Sequence, residues 1–208
     1  LAIPASIGMF FNTMYNVVDT FYAGLISTQA ISALTLSFMI FFLIIGFGYG
    51  FSSAITALLG NALGKKRYKL ASIYAHKGLV FVPLIGLTLS IIGYFFAPSL
   101  FMFLGAKDEY LQISLDYINP ILFGAIFFMF NFSLNSILIA TGDTKTYRNS
   151  LIFGFFANLA LNPLFMYGFL FVPAMGIKGI AFATVLIQII NMFYLFYKVL
   201  QTKLIHFD

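Results

Sequence analysis

Six long stretches without a charged residue constrain the fold of this chain more than any other feature. A helix needs about 18 or more apolar residues to cross the hydrocarbon core of a bilayer. Every stretch reaches this length, because the uncharged windows cover residues 1–18, 20–64, 78–106, 117–142, 149–177 and 179–197. Backbone groups in the hydrocarbon find no water to bond with, so each window is expected to be helical. The sequence therefore predicts an all-α polytopic membrane protein with six transmembrane helices.

The composition excludes several classes of function. Only 8% of the 208 residues are charged, whereas a soluble domain has about 25%. The chain has no Cys, which excludes disulfides and thiol chemistry within it. The net charge of +5 would suit nucleic acid only on a soluble module with a basic face, and the sequence supplies no such module. We therefore expect the chain to be surrounded by membrane lipid and to bind no nucleic acid.

The windows and the loops between them predict one compact lobe. We expect helices at roughly 1–23, 33–62, 74–98, 112–140, 147–170 and 177–199, to within a few residues at each end. Short connections favour antiparallel neighbours in one bundle. Residues 1–208 are therefore interpreted as a single transmembrane unit.

Basic residues cluster in the loop between the second and third helices, which carries Lys65, Lys66, Arg67, Lys69 and Lys77. Loops rich in Lys and Arg stay on the cytoplasmic side of a membrane. Threading six helices from this loop leaves nine of the 11 basic residues inside and two outside, at Lys107 and Lys178. We therefore expect a multi-pass protein of the cytoplasmic membrane, with both termini of this segment in the cytoplasm.

Polar residues recur at helical spacing inside four of the predicted helices, where each of them is costly. They are Asn12, Asn16 and Asp19 in the first helix, Asn131 and Asn135 in the fourth, Asn158 and Asn162 in the fifth, and Thr184, Gln188 and Asn191 in the sixth. Residues four or seven apart share a helix face, and Pro163 adds a bend to the fifth helix. A single amide usually bonds one helix to another, but stripes on several helices favour a polar, water-filled cavity.

Asp19 differs from these amides because it is a carboxylate well inside an apolar run. An ionised carboxylate at membrane depth costs at least ~2.5 kcal/mol, and the uncharged windows supply no Lys or Arg as a partner. A helix rises about 1.5 Å per residue, which places Asp19 roughly 27 Å from Leu1, in the outer half of the membrane. Either Asp19 contacts lipid headgroups, or it faces the cavity as a titratable or cation-binding group. We favour the second interpretation.

The titratable residues argue against an enzyme. An intramembrane aspartyl protease needs two acids on facing helices, but the second candidate, Asp143, lies in a short loop. His76 and His206 are isolated near the cytoplasmic boundaries and lack the paired spacing of a metal or haem site. We therefore expect no catalytic residue, no metal centre and no organic cofactor.

Five motifs follow one another along nearly the whole chain. They are P-A-S-I-G-M-F-F-N-T-M-Y-N-V-V-D-T-F-Y-A-G from residue 4, G-F-G-Y-G-F-S-S-A-I-T-A-L-L-G-N-A-L-G-K from residue 46, A-T-G-D-T-K-T from residue 140, N-L-A-L-N-P-L-F-M-Y-G from residue 158 and M-G-I-K-G-I-A-F-A-T-V-L-I-Q from residue 175. Each motif alone is moderately specific, whereas all five in order are a strong signal. The sequence resembles the N-terminal half of the multidrug and toxic compound extrusion (MATE) family.

The resemblance implies a fold and an activity. Members of the family are secondary antiporters of about twelve helices in two lobes, which export organic cations in exchange for sodium ions or protons. This chain would then be the N-terminal six-helix lobe, and the C-terminal lobe of the same protein would be its partner. The resemblance also implies a small cationic or amphiphilic substrate, Na⁺ or H⁺ as the coupling ion, and no other cofactor.

Single residues acquire roles from the same resemblance. Asp19 resembles the acidic residue of the N-lobe cavity that binds a proton or a cation. Pro4 resembles the proline that lets the first helix bend. Tyr117, Asn158 and Thr184 resemble further polar residues of that cavity.

Asn162 departs from the family pattern, because many relatives have Leu-Asp-Pro where this chain has Leu161, Asn162 and Pro163. An amide cannot titrate, so coupling in this lobe would rest on Asp19 alone. We expect Asp19, with Asn158 and Asn162, to bind the coupling proton or sodium ion, and the bends at Pro4 and Pro163 to respond. The expected cavity lining is Asn12, Asn16, Tyr117, Asn131, Asn135, Thr184 and Gln188.

Two other functions stay open from the sequence. One is a flippase for a lipid-linked saccharide or another amphiphile, and the other is a membrane scaffold that transports nothing. A cavity rich in Lys and Arg would favour the flippase, but these residues are confined to the loops and the helix ends. Polar stripes on several helices argue against the scaffold.

Overall fold

The computed structural model describes residues 2–205, without the side chains of residues 2–5 and 9. Six helices follow one another: α1 (Ala2–Ile26), α2 (Thr28–Gly64), α3 (Tyr68–Phe103), α4 (Asp108–Ala140), α5 (Lys145–Tyr167) and α6 (Ile177–Leu200). Within the described residues, extended pairing is limited to one isolated bridge between Phe169 and Val172. The all-α fold with six helices is therefore confirmed.

Most helix ends lie beyond those expected from hydropathy, although α5 ends at Tyr167 rather than at residue 170. The second helix begins at Thr28 rather than at residue 33, because the Ser27 side chain accepts a hydrogen bond from Ala30 N at 3.0 Å and caps the helix directly after α1. The third begins at Tyr68 rather than at residue 74 and ends at Phe103 rather than at residue 98. Tyr68 lies outside the uncharged windows, because the third of them begins only at residue 78, so the charged first turns of α3 escape a search for such windows.

Five helices, α2 to α6, are long and apolar enough to cross a membrane. The remaining helix, α1, has 25 residues, which is sufficient length, but Asn12, Asn16 and Asp19 lower its average hydropathy. At about 1.5 Å per residue, the 37 residues of α2 exceed the roughly 30 Å of hydrocarbon by several turns. The longest helices therefore continue beyond the hydrocarbon core.

The α4 helix lies at the centre of the lobe. It packs against α2, α3 and α6, and most of its side chains from Ser114 to Leu138 are buried. Helix α2 runs parallel to it, since Ser37 contacts Ser114 near one end and Ser52 contacts Ser136 near the other. On the other side, α1 packs against α5, and α5 packs against α6.

Two hydrophobic clusters form the core. One lies toward the end that carries the α1–α2 and α3–α4 loops and includes Ala30, Phe101, Ile118 and Ile177. The second lies toward the other end, which carries the α2–α3 and α4–α5 loops, and includes Leu59, Ala71, Ile137, Leu195 and Val199. We call this second end the basic end, because Lys65, Lys66, Arg67, Lys145 and Arg148 belong to it. The polar residues of α1, α5 and α6 lie between the two clusters.

Close contact between α2 and α4 requires a glycine at position 48. A Cβ atom at Gly48 would stand 2.2 Å from Cδ2 of the Phe132 ring, which is well inside van der Waals contact. At Gly46, two residues earlier, an added Cβ atom would have no other atom within 4 Å. The glycines of this segment therefore have different roles, and Gly48 is the one that allows the Phe132 ring to pack.

Prolines interrupt three of the helices. Pro83 and Pro98 lie inside α3, Pro120 inside α4 and Pro163 inside α5. Each one removes the backbone N–H that would bond to the carbonyl four residues earlier. Pro4 lies in the first turn of α1, among the residues whose side chains are not described, and its role in bending stays a prediction.

Candidate functional site

The Asp19 carboxylate lies at the centre of a buried polar cluster between α1, α5 and α6. The residue is 2% exposed. Its Oδ1 accepts hydrogen bonds from Asn158 Nδ2 and Asn162 Nδ2, both at 2.9 Å. Its Oδ2 accepts one from Thr184 Oγ1 at 3.2 Å. All three bonds are donated to the carboxylate, a pattern that suits its ionised form. We call these four residues the Asp19 cluster.

The spacing of the two amides on α5 positions them for this contact. Asn158 and Asn162 are one helical turn apart and therefore share a face. Asn162 Nδ2 also donates to Asn158 Oδ1 at 3.0 Å. This bond helps to fix the orientation of both side chains. The next residue, Pro163, removes the N–H that would have bonded to the carbonyl of Leu159. Tyr22 Oη donates to that carbonyl at 3.0 Å and so joins α1 to α5 beside the cluster.

Asp19 has no basic partner among the described residues. The ion pair that the described part of the chain contains joins Lys178 Nζ to Asp116 Oδ1 at 3.2 Å, near the end opposite the basic end. A buried carboxylate is stable only when hydrogen bonds, a counter-charge or a proton compensate its lost hydration. Here three neutral donors supply that compensation, and a cation or a proton would add to it.

Two buried oxygen atoms beside the cluster have no hydrogen-bond partner. They are Asn162 Oδ1 and the hydroxyl of Tyr15, and Tyr15 lies close enough to Asp19 to interact with it electrostatically. Hard cations such as sodium prefer oxygen ligands, as calcium and magnesium do. The carboxylate of Asp19, the hydroxyl of Thr184 and these oxygen atoms could therefore hold a small cation. In the described part of the chain, no group of three or more His, Cys, Asp or Glu residues suits a metal ion.

A cavity adjoins the Asp19 cluster on the side of the basic end. The centres of water-sized spheres can occupy about 70 Å³ of it, and part of it is open to the surroundings. Thr184 belongs both to the cluster and to the wall of the cavity. No charged residue is among those described as its lining: the polar residues are Asn12, Tyr15, Asn16, Tyr49, Asn131, Tyr147, Thr184, Gln188 and Asn191, and the aromatic ones are Phe41, Phe42, Phe128 and Phe132.

The structure brings together most of the residues expected at the cavity, but two lie elsewhere. Asn12, Asn16, Asn131, Thr184 and Gln188 line it. Neither Asn135 nor Tyr117 is part of that lining. Asn135 is buried one turn beyond Asn131 toward the basic end, inside the most enclosed helix. Tyr117 belongs to the hydrophobic cluster at the opposite end, but it lies close enough to Asp19 and Tyr15 to interact with both electrostatically.

Several residues of the site were not expected from sequence. Tyr49 and Tyr147 line the cavity. Asn191 lines it as well; it was part of the polar stripe predicted on the sixth helix but not of the expected lining. Asn191 carried a usable signal, because it lies seven residues after Thr184 and therefore on the same helix face. The sequence signal for Tyr22 was indirect: a proline at position 163 leaves the Leu159 carbonyl without its helical donor, so another group has to donate to it. The aromatic residues of the wall gave no sequence signal, because Phe is frequent throughout the chain.

The other titratable residues considered from sequence have structural roles. Asp143 Oδ1 accepts hydrogen bonds from Lys145 N and Thr146 N, both at 3.0 Å, and its Oδ2 accepts one from the Thr146 hydroxyl. Partial burial alone would raise the pKa of Asp143, but these bonds and the attraction of Lys198 hold it below the ordinary value. His76 Nδ1 bonds to Ser72 O at 2.8 Å within α3. His206 lies outside the described residues.

Comparison with known proteins identifies the family of this chain. The sequence model of the MatE family matches residues 4–164, which is most of the chain. The chain belongs to the MATE family. This is a family of transporters rather than of enzymes. Asp19, Asn158 and Asn162 and most of the cavity wall fall within the part of the chain that the family model covers, whereas Thr184 lies beyond it.

Individual relatives support the MATE assignment. A probable multidrug resistance protein, YoeA, of Bacillus subtilis (strain 168) is 34% identical over 77% of this chain. A protein named FAD transporter from Shewanella oneidensis is 27% identical over 88% of this chain. A multidrug resistance MATE transporter of the MOP superfamily, solved in an outward-facing conformation, matches 98% of this chain with a TM-score of 0.88 and 28% identity.

These relatives are about twice as long as this chain or longer. The chain covers 35% of the Bacillus protein, 41% of the Shewanella protein and 44% of the solved MATE transporter. The likeness in structure therefore extends over one lobe of such a transporter. With its long apolar helices, the chain is a multi-pass membrane protein.

Proposed function

We propose that this chain forms the N-terminal lobe of a secondary active antiporter that exports organic cations or drugs in exchange for protons or sodium ions. The observation that carries the proposal is the Asp19 carboxylate, buried at 2% exposure and held by three neutral donors. Such a group gains from binding a proton or a cation, which is what a coupling site must do. The names of multidrug resistance relatives support the same class of activity.

The coupling step that we propose uses the Asp19 cluster. A proton or a sodium ion binds at Asp19, with Asn158 and Asn162 as its neighbours, and neutralises the carboxylate. Asn162 cannot titrate, so the cluster binds one positive charge rather than two. Neutralisation weakens the charge-assisted bonds from α5 and α6 to Asp19, and this change in α5 occurs next to Pro163 and its substitute donor, Tyr22.

Alternating access requires a second lobe. We propose that the C-terminal lobe of the same protein packs against this one, and that the two rock about a site between them. Coupling then requires that the ion binds one state more tightly than the other, because equal affinities would shift nothing. Bends at Pro4 and Pro163 are the candidate elements through which occupancy of Asp19 changes the shape of the lobe.

The cavity wall supports a cationic or amphiphilic substrate. Aromatic faces attract cations, and four Phe and three Tyr residues are among those that line the cavity. An anionic substrate would need basic groups, and the described lining has none. The absence of basic residues from the described lining also disfavours a flippase that holds a phosphate-linked saccharide. We further propose that the basic end faces the cytoplasm and that the membrane is the cytoplasmic one.

An efflux experiment tests the proposal. The full-length protein in liposomes would be assayed for transport of a cationic dye, with a sodium gradient or a proton gradient imposed separately. We expect one of the two gradients to drive export, and Asp19→Asn to abolish it while leaving insertion and folding intact. The matched control is Asp116→Asn, which makes the same change at a carboxylate that pairs with Lys178. Undiminished export by Asp19→Asn would remove Asp19 from the coupling role.

A further inference from the structure

Asn131 belongs to the wall of the cavity, and its side chain carries a buried acceptor that has no hydrogen-bond partner. Asn131 is 4% exposed and belongs to the cavity wall. Its Nδ2 donates to both oxygens of Gln188, at 2.9 Å to the backbone O and at 2.8 Å to Oε1. Its Oδ1 is buried and has no hydrogen-bond partner. A buried acceptor without a partner is costly, so a ligand that supplies a donor gains that free energy.

The two bonds that Asn131 donates to Gln188 also fix which way the amide points. An Asn side chain carries two N–H donors on one side and an oxygen acceptor on the other. Both donors of Asn131 are already used. Rotation of the Asn131 amide would turn Oδ1 toward both oxygens of Gln188. Even if the Gln188 amide rotated as well and donated to Oδ1, the backbone O of Gln188 would still face an acceptor instead of a donor. Asn131 is therefore held as an acceptor, and this point of the cavity favours an N–H or O–H group over a carbonyl.

Aromatic rings line the same cavity as Asn131. Phe128 and Phe132 precede and follow Asn131 on α4 and line the same cavity. The Phe132 ring packs against Tyr49 with centroids 4.9 Å apart, and the Phe128 ring packs against Phe41 at 5.7 Å. Rings of this kind bind flat aromatic ligands through their faces and edges. The donor that reaches Asn131 is therefore best placed on a planar ring.

The acceptor is separate from the Asp19 cluster but close to it. Thr184 bonds to Asp19, and Gln188, which holds Asn131, follows Thr184 by four residues on α6. Four residues of helix correspond to about 6 Å. One planar ligand can therefore direct its positive charge toward Asp19 and its ring donor toward Asn131.

We propose that Asn131 is a specificity-determining residue, which accepts a hydrogen bond from a ring N–H of planar aromatic cations bound in the cavity. The proposal rests on the proposed transport function and adds to it a rule for which cations the cavity binds more tightly. Aromatic cations that carry a ring N–H bind more tightly than the same cations with that nitrogen methylated. The positive charge contributes equally to both members of such a pair.

Two fluorescent ligands of one shape test the rule. Norharmane has an indole N–H and a basic pyridine ring, and 9-methylnorharmane replaces the N–H hydrogen by a methyl group. Their dissociation constants would be measured at one pH with the purified full-length protein in detergent. An unsatisfied buried acceptor costs enough to predict a preference for norharmane of about tenfold. Equal dissociation constants would overturn the proposal.

Variants then locate the effect at Asn131. Asn131→Leu keeps the approximate volume, and we expect it to weaken norharmane about tenfold and to leave 9-methylnorharmane unchanged, so that the preference disappears. Asn135→Leu is the matched control, because Asn135 is a buried Asn on the same helix with an unpartnered Oδ1 but lies outside the cavity wall. It should retain the preference.

The outcomes separate this proposal from the proposed function. A preference that survives in Asn131→Leu contradicts the role of Asn131, whatever the result of the efflux assay. Failure of both ligands to bind the wild-type protein contradicts the class of substrate as well. Because the ligand pair is compared first in the wild-type protein, the rule is tested even if Asn131→Leu does not fold.

Discussion

Removal of the Tyr22 hydroxyl tests how α1 is joined to α5 beside the site. Pro163 leaves the carbonyl of Leu159 without its helical donor, and Tyr22 Oη donates to that carbonyl at 3.0 Å. Tyr22→Phe removes the donor and changes nothing else in shape. A hydrogen bond at an exposed position such as this one contributes about 0.5–1.5 kcal/mol. We expect a loss of that size in the free energy of unfolding of the full-length protein in detergent.

The chain offers a matched control for this change. Tyr110 Oη donates to Ser32 O at 3.2 Å, so Tyr110→Phe also removes a bond between a tyrosine and a helix carbonyl. Ser32 lies in α2, where Leu36 N remains available to the same carbonyl. The loss should therefore be smaller, at about 0.5 kcal/mol, which is the low end for a single hydrogen bond.

A double-mutant cycle decides whether the proline is the cause. Pro163→Ala restores an N–H that can bond to Leu159 O, so Tyr22→Phe should cost little in that background. The expected coupling energy is about 1 kcal/mol, which is within the range found for residues that share a partner. A cost that is the same with and without Pro163, or no greater than that of Tyr110→Phe, would refute the reasoning.

Three further changes have expected outcomes. Gly48→Ala places a methyl group 2.2 Å from the Phe132 ring and should cost about 1–3 kcal/mol in an unfolding assay, whereas Gly46→Ala, with open space around it, should cost much less. Asp143→Ala removes a cap worth about 1 kcal/mol. The folded state lowers the pKa of Asp143, so this contribution is complete above the unfolded pKa of about 3.9 and is lost as the pH falls through the folded pKa. The stability difference between wild type and variant should therefore persist at neutral pH and shrink below about pH 4. Asn162→Asp adds a second carboxylate beside Asp19 and should make dye export depend more steeply on pH.

The helices and the polar face of α1 could be predicted from the sequence for a physical reason. Apolar length and helical spacing are local properties, and they are enough to place Asn12, Asn16 and Asp19 on one face. The same spacing pairs Asn158 with Asn162. That Asp19 meets these two amides depends on packing between distant helices, and only the family resemblance suggested it.

Other features could not be predicted because they depend on tertiary packing. Asn131 and Asn135 are equivalent in sequence, one turn apart on α4, yet only Asn131 lines the cavity. The rotation of α4 against α2 and α6 decides between them, and local spacing carries no information about it. Tyr22 and Leu159 are 137 residues apart, so their contact is likewise invisible to any local pattern.

The most direct test of the central claim measures ions released when substrate binds. The purified full-length protein, in weakly buffered detergent solution, would be titrated with a cationic dye while a pH indicator and a sodium-selective electrode record release. If Asp19 holds the coupling ion, the wild-type protein releases a proton or a sodium ion on binding, Asp116→Asn does the same, and Asp19→Asn releases neither. Equal release by Asp19→Asn and the wild-type protein would contradict the account.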